Sequence, residues 1–119
     1  MNTRQAGQAG EEQAVQFLTR QGYQILARNF AVRGGELDIV ARFKNTLVFV
    51  EVKQRASQAY GGPLAAVTPA KQKRLALAAV QYIKVKCPKF DSIRFDVVCV
   101  LPDRIEHVPN AFEPGRSTL

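Results

Sequence analysis

The chain has few of the residues on which several common site chemistries depend. Among 119 residues it has one histidine, His107, and two cysteines, Cys87 and Cys99. Neither cysteine lies in a CxxC or Cys/His spacing, so nothing indicates a zinc site, and reduced thiols are expected. No serine or cysteine forms a recognisable nucleophile pair with His107. We therefore predict that His107 is structural or exposed.

Long apolar segments are also missing. No apolar run approaches the roughly 18 residues of a membrane-spanning helix. The N-terminal sequence MNTRQAGQAGEEQ lacks the apolar run of a signal peptide. We therefore expect a cytoplasmic protein with no membrane partner.

Acidic residues are scarce relative to basic ones. The chain has 10 acids against 17 lysines and arginines, which gives a formal net charge of +7. This excess favours a polyanionic partner, although a basic surface that serves only solubility is the alternative. With 46% hydrophobic and 23% charged residues, the chain is expected to form one domain, residues 1–119, with a substantial core.

The hydrophobic pattern predicts an α-β-β-β-α-β-β order, and hence an α/β fold with a mixed sheet flanked by helices. The second helix should begin at Thr68-Pro69, a hydroxyl cap followed by proline. The strand after that helix can lie parallel to the strand before it. Residues 54–68 read as a loop, and the chain from Glu113 as frayed. The predicted elements cover 3–21, 23–30, 36–53 (a hairpin), 69–85, 93–101 and 104–108.

The segment GELDIVARFKNTLVFVEVKQR is the most informative part of the chain. A two-residue turn at Lys44-Asn45 would place Asp38 directly opposite Glu51 and Glu36 opposite Lys53. Side chains alternate along a strand, so all four would share one face. The opposite face would be apolar: Leu37, Ile39, Ala41, Phe43, Val48, Val50 and Val52.

Two carboxylates directly opposite each other ordinarily destabilise a strand pair, so the Asp38–Glu51 pair favours a bound cation. Mg²⁺ or Mn²⁺ bound by Asp38 and Glu51 would suit phosphodiester hydrolysis, with Lys53 orienting water or phosphate. The alternative is a solvated hairpin face, which Glu36 opposite Lys53 would fit. Asp96 could join the acidic site or form a salt bridge with Arg94.

The motifs GELDIVA and FVEVKQR resemble the nuclease core of restriction-endonuclease-like enzymes, whose signature is an acid, a gap and Glu-x-Lys. Here the signature matches Asp38 and Glu51-Val52-Lys53. Nearly the whole chain resembles the YraN family of bacterial proteins. The matching segments are GQAGEEQAVQFLTRQGYQILARNF, the hairpin, TPAKQKRL, RFDVV and HVPNAF.

The resemblance implies a restriction-endonuclease-like core similar to that of archaeal Holliday-junction resolvases, in which a helix glutamate completes the acidic site. Glu11 matches that position best, and Glu12 is the alternative. Glu11 also shares a helix face with Ala14 and Leu18. Residues at the start of the second helix resemble the polar residues that follow Glu-x-Lys in related nucleases. We expect these and two arginines beside the site to contact nucleic acid, unless they form a solvated basic face: Lys71, Gln72, Arg74, Arg33 and Arg55.

Together these observations predict a single nuclease-like domain that hydrolyses phosphodiester bonds with Mg²⁺ or Mn²⁺. The expected catalytic residues are Lys53, Asp38 and Glu51, with Glu11 as a further metal ligand and Glu36 as a supporting acid. The expected substrate is structured or branched DNA, a homodimer would suit a junction, and no small-molecule cofactor is expected. The alternative is a non-catalytic nucleic-acid-binding module of the same fold.

Overall fold

The computed structural model has the predicted α/β architecture and element order. It describes residues 3–56 and 67–113, with side chains from residue 8 onward. Most of the predicted 54–68 loop and the predicted frayed end lie outside these ranges. The elements are α1 (Thr3–Arg20), β1 (Gln24–Val32), β2 (Gly35–Phe43), β3 (Thr46–Gln54), α2 (Pro69–Lys86), β4 (Ser92–Val100) and β5 (Ile105–Phe112).

The five strands form one sheet in the order β1-β2-β3-β4-β5. Among the strands that the structure describes, only β3 and β4 are parallel, and α2 lies between them in the chain, so the predicted crossover is confirmed. The other pairs are antiparallel. This mixed topology places α1 and α2 against different apolar clusters.

The first cluster packs α2 against the sheet, with Val40, Leu47 and Phe49 beneath Leu75 and Tyr82. The second packs Ala14 and Leu18 of α1 against the sheet. Because alternate residues of β2 and β3 enter different clusters, both sides of the central hairpin are covered. Strand β3 is consequently buried from Leu47 to Glu51.

The predicted hairpin register is confirmed where the ladder exists. Phe43 pairs with Thr46 across the Lys44-Asn45 turn, and pairing continues to Ile39 opposite Val50, where the ladder ends. Leu37 was predicted on the face of Ile39, but it packs in the cluster that contains α2. That prediction was wrong: Leu37 lies beyond the last β2–β3 pair and pairs instead with Phe30 of β1. The β1–β2 ladder is interrupted between Leu37 and Ile39, where Asn29 of β1 has a left-handed φ of 53°.

Helix α2 begins as the sequence predicts. The Thr68 hydroxyl accepts a hydrogen bond from the Lys71 amide at 3.2 Å, and Pro69 occupies the first turn. The helix ends at Cys87, whose φ of 47° is left-handed and whose amide donates to the Ile83 carbonyl. The N-terminal cap at Thr68 holds the backbone of the first turn of α2, which contains Lys71.

Strand β5 is longer than predicted, reaching Phe112 rather than ending at Val108. Its register against β4 shifts between the pairs Val97–Val108 and Phe95–Phe112. The irregular region contains Pro109, which has no amide to donate, and Asn110, with a φ of 51°. The sequence pattern stops at the proline, whereas the strand continues through a bulge.

Two glycines allow the helices to approach the hairpin closely. A Cβ at Gly35 would overlap the Arg74 carbonyl oxygen of α2, and a Cβ at Gly10 would lie 2.8 Å from Oε1 of Gln54. Gly10 is buried and Ala9 is exposed, because α1 packs with its small Gly10 backbone against β3.

Candidate active site

The predicted acids Asp38 and Glu51 lie where β2 and β3 cease to pair. Oδ2 of Asp38 accepts a hydrogen bond from the Val52 amide at 2.8 Å. The carboxylate thus accepts the bond that a neighbouring strand carbonyl would accept in a continuing ladder. This places the Asp38 carboxylate against the Glu51–Lys53 segment, one residue beyond the last ladder pair.

Glu51 is almost fully buried, with 4% of its surface exposed. Its Oε1 atom lies 3.2 Å from Nζ of Lys53 and 3.2 Å from Nζ of Lys71. Lys53 comes from the same strand, whereas Lys71 comes from the first turn of α2. A buried carboxylate requires such compensation, and here two ammonium groups provide it.

Asp38 has a strongly altered proton affinity. Burial, and next the Glu51 carboxylate, raise the pKa of Asp38 from 3.8 to about 7. The Val52 hydrogen bond opposes this rise, while the charges of Glu11 and Glu36 add to it. The neighbouring acids therefore sit close enough to Asp38 to disfavour its charge, as expected for a site that accepts a cation.

A cleft of about 440 Å³ opens over these acids. The turn between β1 and β2 forms one wall and the start of α2 forms the other. The contact between Gly35 and the Arg74 carbonyl joins the two walls. The lining residues combine acids, bases and a small apolar surface: Ala31, Val32, Gly34, Gly35, Glu36, Asp38, Glu51, Lys71, Arg74 and Leu75.

The two candidate helix acids have different surroundings. Glu12 is exposed and forms a salt bridge of 2.9 Å with Arg28. Glu11 is partly buried, and its charge contributes to the raised pKa of Asp38. The geometry therefore favours Glu11 over Glu12 as the acid that faces the site, although its role as a metal ligand stays a prediction.

The predicted nucleic-acid contacts do not all lie together. Lys71 and the exposed Arg74 line the cleft. The side-chain amide of Gln72 instead donates to the Val67 carbonyl at 3.1 Å, which supports the start of α2.

Two arginines predicted as contacts lie outside the cleft lining. Arg33 is exposed in the β1–β2 turn. The Arg55 amide donates to the Val100 carbonyl at 3.0 Å, which places Arg55 beside the end of β4. Their roles in nucleic-acid binding stay predictions.

The donor set suits a hard divalent cation in part. Within residues 3–56 and 67–113, no three acid, histidine or cysteine side chains converge to hold a metal ion. Asp38 and Glu51 nevertheless use only Oδ2 and Oε1 in their contacts with described residues. Mg²⁺ is commonly held by one or two carboxylates together with water and substrate phosphate. Asp38 and Glu51 therefore fit such an ion without a complete protein cage.

Asp96, the other acid considered from the sequence, belongs to a separate buried cluster. It accepts hydrogen bonds from Arg94 at 2.8 and 2.9 Å, from Nε2 of His107 at 2.7 Å and from the Asn110 amide at 2.9 Å. Arg94 also donates to the Tyr23 hydroxyl at 2.7 Å. The salt-bridge alternative is therefore the one observed, and His107 is structural as predicted.

Sequence reasoning missed two features of the site. Lys71 was predicted as a nucleic-acid contact, and nothing in its sequence neighbourhood indicated an ion pair with Glu51. The close approach of α2 to Gly35 was also missed. The sequence signal for this close approach was the second glycine in Arg33-Gly34-Gly35. The turn itself requires only Gly34, which has a φ of 92°.

Comparison with known proteins adds a family but no activity. The uncharacterised protein family UPF0102 matches the chain over residues 10–100. The chain is similar to a UPF0102 protein of Pelobacter propionicus, with 47% identity covering 94% of this chain and 85% of the relative. A Geobacter metallireducens UPF0102 protein is 46% identical, with coverage of 95% and 96%. Separately, no helix among the described residues is long and apolar enough to span a membrane.

Proposed function

For this chain, which belongs to the UPF0102 family, the YraN family, we propose the activity of an endonuclease that hydrolyses phosphodiester bonds of structured DNA with Mg²⁺ or Mn²⁺. The observation that supports this most is the partly buried Asp38 beside the buried Glu51, with lysines, in an open cleft. Such a cluster is costly to fold and has a clear use only if it binds a cation and an anionic substrate.

The side chains have distinct roles in this proposal. Asp38 and Glu51 hold the cation, with Glu11 as a further acid near Asp38 and Glu36 as a supporting acid at the cleft edge. A cation held there would neutralise phosphate charge and lower the pKa of the attacking water. Lys53 orients the water or a phosphate oxygen from its position beside Glu51.

The basic residues of α2 provide substrate contacts. Arg74 and Lys71 lie on the cleft wall, where their charges can meet the phosphates on either side of the reacting bond. The net charge of +7 favours the approach of a polyanion at a distance. We further propose that the protein acts in the cytoplasm, and that a homodimer would present two such clefts to a branched substrate.

A second function has a specific observation in its favour. Lys53 and Lys71 already compensate the charge of Glu51 without any metal ion. The same fold could therefore bind nucleic acid without cleaving it, as a module whose affinity depends on salt but not on divalent cations.

The decisive experiment is a cleavage assay with Mg²⁺ or Mn²⁺ on matched linear, flap and four-way-junction DNA. Wild type should cleave, whereas Lys53→Ala should lose at least about 100-fold in rate because it removes the group that orients water or phosphate. The matched control is Lys73→Ala, an exposed lysine of α2 that should cleave normally.

The outcomes separate the two functions. Cleavage that requires metal and Lys53 supports the endonuclease. No cleavage of any substrate, combined with binding that is sensitive to salt and indifferent to metal, contradicts it and favours the binding module. Equal cleavage by Lys53→Ala and wild type contradicts the assignment of the site.

A further inference from the structure

The two ammonium groups on Glu51 come from different parts of the fold. Lys53 is a β3 residue fixed two positions after Glu51 in the sheet, whereas Lys71 reaches across from α2. Both lie 3.2 Å from the same oxygen, Oε1. One carboxylate charge is therefore shared by two cations, which is more positive charge than Glu51 alone requires.

Lys71 is the more accessible of the two lysines. Its side chain is 30% exposed against 22% for Lys53, and Lys71 alone of this pair lines the cleft beside Arg74. Its backbone is held firmly by the Thr68 cap. The flexible four-carbon stem can therefore turn from Glu51 toward the cleft without any movement of α2.

We infer that Lys71 is a displaceable partner of Glu51: its ammonium leaves the carboxylate when a divalent cation binds there and then contacts a phosphate of the substrate. This inference rests on the proposed function and adds a form of regulation to the same site. Cation binding and polyanion binding become coupled through one side chain, so each strengthens the other by the same factor.

Electrostatics gives the direction of this exchange. A divalent cation on Glu51 would lie within a few ångströms of two ammonium groups, and like charges at such distances repel strongly in a partly buried site. Lys53 is constrained by its strand position, whereas Lys71 has the open cleft beside it. Lys71 is therefore the group that moves, and a phosphate in the cleft would replace the interaction that it loses.

Mn²⁺ binding measured by calorimetry on the full chain tests the first half of the inference. Lys71→Met should bind Mn²⁺ more tightly than wild type by about fivefold, since the competing ion pair is worth roughly 1 kcal/mol. Lys73→Met is the control for lost positive charge on α2, because Lys73 is exposed and forms no salt bridge among the described residues. It should change Mn²⁺ affinity by less than about twofold.

Binding of a short single-stranded oligonucleotide, with and without Ca²⁺ in place of Mn²⁺, tests the second half. Ca²⁺ should raise the oligonucleotide affinity of wild type and Lys73→Met by at least about fivefold, the usual lower range of coupling between two sites. Lys71→Met should lose this dependence on Ca²⁺ and retain only the salt-sensitive binding.

The results distinguish failure of the inference from failure of the proposed function. Mn²⁺ binding by wild type with equal affinities for Lys71→Met and Lys73→Met overturns the displaceable pair and leaves the metal site intact. If Ca²⁺ raises the oligonucleotide affinity equally in all three proteins, the displaceable pair is likewise overturned and the metal site stays intact. Absence of Mn²⁺ binding in every variant overturns both the inference and the metal-dependent endonuclease.

Discussion

Two aspartates of this sheet, Asp38 and Asp96, have opposite electrostatic surroundings. Asp96 is 1% exposed and is bonded by Arg94, His107 and the Asn110 amide. Burial alone would raise its pKa, but these hydrogen bonds hold it below the ordinary value of 3.8. Asp38 has one backbone hydrogen bond, and burial together with Glu51 raises its pKa to about 7.

Asp96 therefore stabilises the fold, whereas the ionised form of Asp38 is poorly stabilised by its surroundings. Asp96 has donors for both of its oxygens, so its charge joins β4 to β5. Asp38 has acids as neighbours and an oxygen with no described partner. Burial by itself is therefore a weak indicator of function, whereas a buried carboxylate with little compensation indicates a site suited to a cation.

The largest expected effect is that of Asp96→Asn. Loss of the carboxylate would leave the Arg94 guanidinium partly buried without an ionic partner, which should lower the free energy of unfolding by about 3 to 5 kcal/mol. Urea denaturation at pH 7 measures this. Asp103→Asn, which alters an exposed salt bridge with Arg104, should leave the midpoint unchanged. Equal stability of Asp96→Asn and wild type would show that the Asp96 cluster does not stabilise the fold.

Asp38→Asn should change the free energy of unfolding in the opposite direction and stabilise the protein. Because the folded-state pKa of Asp38 is raised to about 7, the folded protein binds the proton more tightly than the unfolded chain. The contribution of Asp38 to stability should therefore be most favourable below pH 4 and fall as pH rises through 7. At pH 8 in chelator, Asp38→Asn should be more stable than wild type by about 1 to 3 kcal/mol.

Urea denaturation from pH 4 to pH 8 tests this prediction for Asp38. The two proteins should converge at the acidic end, where Asp38 is protonated in both states. Glu12→Gln, which changes an exposed acid, is the matched control and should follow wild type throughout. A wild type that gains stability relative to Asp38→Asn as pH rises would contradict the raised pKa.

A divalent cation should remove the difference in stability between wild type and Asp38→Asn at pH 8. Mg²⁺ or Mn²⁺ at about 100 times its dissociation constant should stabilise wild type by about 2 to 3 kcal/mol. The shift should be larger at pH 8 than at pH 5, because protons compete for Asp38 at the lower pH. Thermal unfolding with and without the cation measures it. The same shift in Asp38→Asn would place the bound ion elsewhere.

The smallest expected effect is that of His107→Gln. The amide can still donate one hydrogen bond to Asp96, but the ring contacts with Phe17 and Tyr23 are lost. Stability should fall by about 1 kcal/mol, and Mn²⁺ affinity should not change. Denaturation and calorimetry on the same sample check both statements. A changed Mn²⁺ affinity would mean that the Asp38 and Asp96 regions are coupled.

The Asp38–Glu51 pair could be predicted because it depends on local rules. A two-residue turn at Lys44-Asn45 sets a register that ends at Ile39 opposite Val50, and Asp38 and Glu51 are the next residues of the two strands. This needs no knowledge of the rest of the fold. The capped start of α2 was predictable for the same reason, since Thr68 and Pro69 act on adjacent backbone groups. Beyond the last ladder pair the rule failed, and Leu37 entered the other cluster.

Contacts between distant elements were not predictable. The Asn110 amide reaches Asp96 because β4 and β5 pair through a bulge, and the sequence pattern had ended that strand at Val108. Lys71 reaches Glu51 because α2 packs tightly on Gly35. Each of these depends on how two elements pack, and no spacing within a single element indicates it.

Local sequence patterns specify the order of helices and strands, the hairpin that brings Asp38 near Glu51, and the cap that begins α2. These follow from backbone geometry and hydrophobic period over a few neighbouring residues. Which acid is compensated and which is not depends instead on how distant elements pack together. That outcome depends on the charges that other elements bring near each carboxylate: Arg94 and His107 at Asp96, but Glu51 and Glu11 at Asp38.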